Sequence, residues 1–125
     1  MKRAIIIVGP HHSGKSLTIN EHLKGLLGIR KRERLFQLNG MRGVIWSQSP
    51  EEADRDIITK LKDKVVERYE LFVLPCRPKN EEVSLFGELH EFFAEHSVEV
   101  KTLEIQKGDQ APETAAAAFK FLNSN

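Results

Sequence analysis

The sequence is poor in cysteine and has no long hydrophobic run. Cys76 is the only cysteine among 125 residues, which excludes an intramolecular disulfide and a zinc site made of several thiolates. A single thiol fits a reducing, intracellular setting, so we expect a cytoplasmic protein. No stretch approaches the ~20 apolar residues that a membrane-spanning helix needs, and a membrane partner is therefore not expected.

The chain also lacks a strong excess of charge of either sign. It has 19 Lys and Arg against 18 Asp and Glu, which gives a formal net charge of +1. Proteins that bind nucleic acid usually carry a clear positive bias, so a nucleic-acid partner is not expected. The length suits one hydrophobic core, and we predict a single domain over residues 1–125.

One motif dominates what is present. Apolar residues 4–8 lead into residues 9–16, which match G-x-x-x-x-G-K-[ST] at every fixed position. The glycines of this motif let the backbone curl so that its N–H groups face an anion, and the following helix adds its positive N-terminal end. The alternative is a glycine-rich turn that binds nothing. The predicted phosphate-binding residues are Gly9, Pro10, His11, His12, Ser13, Gly14, Lys15, Ser16 and Leu17.

Two side chains of the motif carry its chemistry. Lys15 would bring a positive charge to the outer phosphates of a di- or triphosphate, and the Ser16 hydroxyl would ligate a bridging Mg²⁺. His11 and His12 occupy free positions of the loop. Because they lack a third ligand at metal spacing, a solvated pair is favoured over a metal site.

Strands and helices alternate along the rest of the chain. The dipeptide Asn39-Gly40 predicts a two-residue hairpin turn, since both positions need positive φ. The order predicts an α/β fold in which a mostly parallel sheet, covered on both faces, forms a three-layer sandwich with one hairpin. Helices are predicted over residues 17–28 (Ile19, Leu23, Leu26 and Leu27 inward), 50–69, 81–95 and 112–122, and later strands over 71–74 and 98–105.

Residues 9–16 and their setting resemble the P-loop nucleoside triphosphatase superfamily, and within it the small-molecule and nucleotide kinases. Residues 102–113 are similar to the last strand, adenine-side loop and final helix of these kinases, and residues 38–42 and 74–78 loosely resemble strand ends of adenylylsulfate kinases. The resemblance implies a P-loop fold, ATP or another nucleoside triphosphate with Mg²⁺ as cofactors, and a small-molecule or protein phosphate acceptor.

The chain departs from this family where an acid should hold the magnesium water shell. The strand predicted beside the phosphate loop ends in Pro75, and Asn39 stands where some kinases carry an acid at the end of the second strand. Nothing matches the N-K-x-D motif that reads guanine, so we expect ATP to be preferred or no base to be favoured.

Arg77 is the candidate catalytic cation. It follows a predicted central strand, from which it would stabilise charge on a transferred phosphate; a surface arginine paired with Glu81 or Glu82 is the alternative. A base is sought among residues 47–52, where Ser47, Gln48 or Ser49 would orient water and Glu51 or Glu52 accept its proton. Helix capping by Ser49 and the two glutamates is the competing explanation.

The basic residues 30–34 and Arg42 would meet an anionic substrate or RNA, or simply form a solvated connection. Trp46 would stack on a base or fill the core. Two functions stay open. The first is Mg²⁺-dependent transfer or hydrolysis of the γ-phosphate of ATP by Lys15, Ser16 and Arg77. The second is a catalytically weak or inactive nucleotide-binding module that presents a surface to a partner.

Overall fold

A single sheet organises the chain. The computed structural model describes residues 2–10, 13–48, 59–80 and 84–124. Its strands follow the spatial order β2-β3-β4-β1-β5, and every pairing is parallel except that of β2 with β3. The predicted α/β fold with a mostly parallel sheet is confirmed. The strands are β1 Lys2–Val8, β2 Leu35–Leu38, β3 Met41–Ile45, β4 Leu71–Cys76 and β5 Val98–Glu104.

Within the described residues, four helical stretches longer than one turn connect or follow the strands. The first, α1, runs without interruption through Lys15–Leu17, Thr18–Leu23 and Lys24–Leu26, and its middle part has the wider i→i+5 hydrogen bonds of a π-helix. The second, α2, ends with Leu61–Val65 and Val66–Arg68 before β4. The third and fourth are α3, Phe86–Glu95, and α4, Ala111–Leu122.

The predicted hairpin is also confirmed. Leu38 pairs with Met41 across the turn, where Asn39 has φ +53° and Gly40 has φ +78°. Two consecutive positive φ angles give the turn the twist that antiparallel strands require. The hairpin therefore places β2 at one edge of the sheet.

The core lies on both faces of the sheet. Alternate residues of β1 point to opposite sides, so that Ile6 joins Phe72 and Phe93 in one apolar cluster while Ile5 joins Leu23 in the other. Complete burial of each such side chain contributes roughly 1.5–3 kcal/mol. This double burial makes β1 a central strand and is compatible with a three-layer sandwich.

The buried face of α1 differs from the predicted one. Leu26, expected to point inward, is 49% exposed, and Lys24 is buried at 2% exposure in its stead. The i→i+5 turn rotates the residues that follow it relative to a regular α-helix, which explains the exchange. The other three predicted positions, Ile19, Leu23 and Leu27, are buried.

Helix α3 begins later than predicted. Residues 81–83 lie outside the described residues, but Ser84 and Leu85 are not helical and the helix starts at Phe86. The Ser84 hydroxyl accepts the Phe86 N–H at 3.2 Å and donates to the Arg77 carbonyl at 2.9 Å. Ser84 thus provides an acceptor for the Phe86 N–H, which lies in the first turn of α3 and has no acceptor within the helix.

We expect Gly43→Ala to lower the free energy of unfolding by about 1–3 kcal/mol in urea denaturation. A Cβ at Gly43 would overlap the ring of Phe36, which is held in the core. Gly25→Ala is the matched control. A Cβ at Gly25 meets nothing within 4 Å, so the helical position should gain about 0.5–1 kcal/mol. Equal shifts for the two variants would contradict this packing.

Candidate functional site

The candidate loop lies where three strands end. The Gly9 N–H donates to the Cys76 carbonyl of β4 at 3.2 Å, and the Ile105 N–H after β5 donates to the Val8 carbonyl at 2.8 Å. The loop between β1 and α1 therefore leaves the sheet at its carboxyl edge. In α/β sheets of this kind, ligands bind at that edge.

Two of the loop's glycines have no room for a side chain. A Cβ at Gly9 would overlap the Ser13 hydroxyl and lie 2.5 Å from the Ile105 carbonyl oxygen. Gly14 has φ +102°, and a Cβ there would approach the Cα of Gly108 to 2.8 Å. Both positions need glycine for this geometry, because one is crowded and the other is also left-handed.

The Lys15 side chain turns back into the loop. Its ammonium donates to the Gly9 carbonyl and, at 3.4 Å, to the Pro10 carbonyl, while the residue as a whole is 7% exposed. The loop thus holds a buried positive charge on its inner side. The Ser13 N–H donates to the Pro10 carbonyl at 3.1 Å.

Three polar groups at the start of α1 have no hydrogen-bond partner among the described residues. Among the described residues, the backbone N–H groups of Gly14 and Ser16 have no acceptor. The Ser13 hydroxyl is buried and likewise has no partner within the described part of the chain. These donors are the kind that an oxygen-rich ligand satisfies.

Ser16 connects the loop to a second strand end. Its exposed hydroxyl donates to the Ser47 carbonyl at 3.2 Å, and Ser47 lies two residues beyond β3. The structure therefore brings together the predicted metal ligand Ser16 and the candidate Ser47. Gln48 follows and is exposed.

Thr18 is a loop-supporting residue that the sequence analysis missed. Its hydroxyl and its N–H both donate to the Gly14 carbonyl, at 2.8 and 2.9 Å. The spacing of four residues between Gly14 and a hydroxyl-bearing residue in the first helical turns was the signal available in the sequence. Thr18 holds the carbonyl side of the peptide that follows Gly14, so it positions Lys15 indirectly.

Strand β4 extends further than predicted. It includes Pro75 and Cys76 rather than ending at Leu74, and Pro75 pairs in register with Ile7 of β1. Cys76 faces β1 with its carbonyl, so the ring nitrogen of Pro75 faces the β3 side, where β3 has already ended at Ile45. The Trp46 N–H still donates to the Val73 carbonyl at 2.9 Å, and Pro75, which has no N–H, stands where this ladder ends.

Arg77 is one residue beyond β4 and is half-buried. Its position places it one residue from the Cys76 carbonyl that accepts the Gly9 N–H. The last two residues of β4 are Pro75 and Cys76, so the strand itself ends without a carboxylate.

Other candidates are placed less closely. Leu17 is 40% exposed on α1, and Asp109 is exposed on the 3-10 turn Gly108–Gln110 beside Gly14. Trp46 is 6% exposed, so it belongs to the core and has no free face for stacking on a base. Within the described ranges, no group of three or more His, Cys, Asp or Glu side chains could hold a metal ion. The candidates His11, His12, Ser49, Glu51 and Glu52 lie outside the described residues.

Comparisons with known proteins add no relative to this geometry. No family model matches the chain, and neither the curated proteins nor the solved structures yield a match. Among the described helices, none is both long enough and apolar enough to cross a membrane.

We expect Ser13→Ala to raise the free energy of unfolding by about 0.5–1 kcal/mol, because it removes a buried hydroxyl that has no described partner. Ser84→Ala, the same chemical change, should lower it by about 1 kcal/mol, since that hydroxyl makes two hydrogen bonds at the start of α3. Chemical denaturation of both variants measures whether each substitution raises or lowers the free energy of unfolding. A clear loss of stability in Ser13→Ala would mean that its hydroxyl is satisfied in the folded protein.

Proposed function

We propose that the chain binds a nucleoside triphosphate, ATP in the first instance, at the loop of residues 9–16. The observation that carries this proposal is the Lys15 ammonium held inside a loop whose two crowded glycines sit at the carboxyl edge of the sheet. In the sequence this loop has the complete G-x-x-x-x-G-K-[ST] pattern. The proposal includes a P-loop type of fold for the sheet and its helices.

The donor set suits a phosphate chain with a magnesium ion. The Gly14 and Ser16 N–H groups, without acceptors among the described residues, would donate to phosphate oxygens at the start of α1. The Ser16 hydroxyl, now on the Ser47 carbonyl, would turn to the metal. The bound MgATP would supply the transferable phosphoryl group and the divalent charge that neutralises it.

Lys15 must change partners when phosphate enters. Its ammonium would leave the neutral carbonyls of Gly9 and Pro10 for charged phosphate oxygens. The ammonium would then face negative charge instead of a neutral dipole, and this Coulomb attraction favours binding. Because Lys15 is already buried in the loop, little further water would have to be removed from its ammonium on binding.

The first candidate activity is kinase-like phosphoryl transfer, or hydrolysis, of the γ-phosphate. Arg77, at the end of the strand next to β1, would stabilise charge that develops on the phosphoryl group. Lys15 and Ser16 would hold the phosphates in line with an acceptor. The acceptor would be a small molecule or a protein group.

A specific observation supports the second candidate, a nucleotide-binding module with weak or no catalysis. Strand β4, one of the two neighbours of β1, ends in Pro75 and Cys76, neither of which can act as a carboxylate base or hold the water shell of Mg²⁺. With Ser16 as a metal ligand and no carboxylate from the end of β4, the metal and the γ-phosphate would be less firmly aligned, and alignment accounts for much of the rate of phosphoryl transfer.

Lys15→Ala should weaken ATP binding at least about tenfold in titration calorimetry with Mg²⁺, while the fold is retained, because a loop cation is lost and no apolar core residue changes. Lys101→Ala, which removes an exposed lysine on β5, is the matched control and should bind normally. GTP titrated in parallel should bind no more tightly than ATP. Equal affinities of the wild type and Lys15→Ala would refute the phosphate-loop assignment.

Turnover separates the two candidate activities. We expect the isolated chain to bind MgATP but to release phosphate far more slowly than the roughly 1–100 per second of ordinary kinases, because no described carboxylate stands at the end of β4. A phosphate-release assay, with Lys15→Ala as the background, measures this rate with and without candidate acceptors. A rate inside the kinase range that falls in Arg77→Ala would show an enzyme and exclude the inactive module.

A further inference from the structure

No described strand pairs with the outer edge of β2. The hairpin pairs Leu38 with Met41, and the Ile45 N–H donates to the Arg34 carbonyl at 2.8 Å. Because hydrogen-bonded and non-bonded pairs alternate in an antiparallel ladder, Phe36 and Leu38 direct their backbone groups to β3, whereas Leu35 and Gln37 direct theirs outward. Within the described part of the chain, nothing bonds to the outward N–H and C=O groups of Leu35 and Gln37.

An apolar groove accompanies this edge. It encloses about 360 Å³ and is lined by Ile29, Leu35, Phe36, Gln37, Arg42 and Tyr69. Leu35 is 55% exposed, the highest fraction among the large apolar side chains of the described residues. An edge strand with free backbone groups and an exposed apolar side chain is a template for pairing with another strand.

Basic residues lie next to the groove: Arg42 lines it, and residues 30–34 directly precede β2. Arg30, Lys31 and Arg42 each have an acidic neighbour: Glu33 at 3.9 Å, Glu21 at 2.5 Å and Glu70 at 3.6 Å.

Arg32 and Arg34 are exposed, and neither forms an ion pair with any described carboxylate. The edge of β2 thus begins next to two cations whose charge is not neutralised by the described residues.

The basic segment before β2 is also anchored. The buried ammonium of Lys24 donates to the Lys31 carbonyl at 2.5 Å, which ties this segment to α1. Burial lowers the pKa of Lys24, and the nearby Arg34 charge lowers it further, against a smaller opposing effect of Glu33. The cations are therefore presented on a segment fixed to the core.

We propose that the β2 edge binds an extended acidic segment of a partner protein by strand addition. The segment would pair its backbone with Leu35 and Gln37, rest an apolar side chain in the groove against Leu35, and place carboxylates next to Arg32 and Arg34. In this mode the main-chain hydrogen bonds give affinity, and the alternate side chains give specificity. The assignment does not depend on nucleotide binding.

Two other occupants fit the observations less well. A second copy of the chain, pairing edge to edge, would add two more unpaired arginines to this edge, and its own strand Leu35–Leu38 has no carboxylate to neutralise them. Single-stranded RNA would suit the charge but needs aromatic faces for its bases. In the described residues of this region, Trp46 and Phe36 are buried, and Tyr69 is half-buried with Arg42 6.0 Å from its ring centre.

The test uses an acetylated eight-residue peptide of alternating glutamate and valine. We expect saturable binding in calorimetry and slower hydrogen exchange of the Leu35 and Gln37 amides of the wild-type chain. Gln37→Pro, which removes an outward N–H at an edge position that tolerates proline, should abolish binding. Gln37→Thr keeps that N–H and should retain it.

Charge is tested by a second pair of variants. The double variant Arg32→Glu and Arg34→Glu should weaken peptide binding at least about tenfold, equivalent to 1.4 kcal/mol. The matched control reverses two exposed lysines elsewhere, Lys101→Glu and Lys120→Glu, and should change affinity little. Weaker binding as salt is raised should accompany the effect.

Four results would overturn the proposal: no binding of the peptide to the wild type; equal binding of a peptide with lysine in place of glutamate; tighter binding of an oligouridine than of the acidic peptide; or self-association, measured by sedimentation, that Gln37→Pro removes. Amide exchange on the wild-type chain keeps the test valid even where a proline variant fails to fold.

Discussion

The convergence of three strand ends at Gly9 is the constraint on which the rest of the structure depends. Its N–H is bonded to the end of β4, and the preceding carbonyl is bonded to the residue after β5, so β1 is fixed between its neighbours up to its last residue. A side chain at Gly9 would push Ser13 and Ile105 apart and move the loop off the sheet. Both the pairing of β1 with its two neighbours and the path of the loop therefore depend on the absence of a side chain at Gly9.

The features that were predictable from the sequence are those with a local cause. The apolar run of β1 predicts burial on both faces, and Asn39-Gly40 predicts the hairpin because few other residues accept two positive φ angles. The inward turn of Lys24 was not predictable. It follows from i→i+5 hydrogen bonds in α1, which no propensity or spacing reveals, and it exchanges the expected burial of Leu26 for that of a lysine.

In the candidate site, too, the features with a local cause were predictable and those set by tertiary structure were not. The motif identifies the loop from residues 9–16 and marks Lys15 and Ser16, because the fixed glycines have a local backbone role. The partners of those side chains are set by tertiary structure: Ser16 reaches the end of β3, thirty-one residues away in the chain. The extension of β4 through Pro75 was not predictable either, because it depends on the pairing of Pro75 and Cys76 with β1.

The candidate loop and the β2 edge share strand β3. The Ser16 hydroxyl donates to the carbonyl of Ser47, the second residue after β3. Strand β3 in turn pairs with β2 in the hairpin. If Ser16 turns to a metal ion, its bond to Ser47 is lost, and the end of β3 is held by the Trp46 N–H on the Val73 carbonyl at 2.9 Å. Any effect of nucleotide on the affinity of the β2 edge for a partner would have to be matched by an equal effect of that partner on nucleotide affinity, since coupling between two binding sites is reciprocal. An inactive nucleotide-binding module would need such coupling to do its work, whereas an enzyme would not.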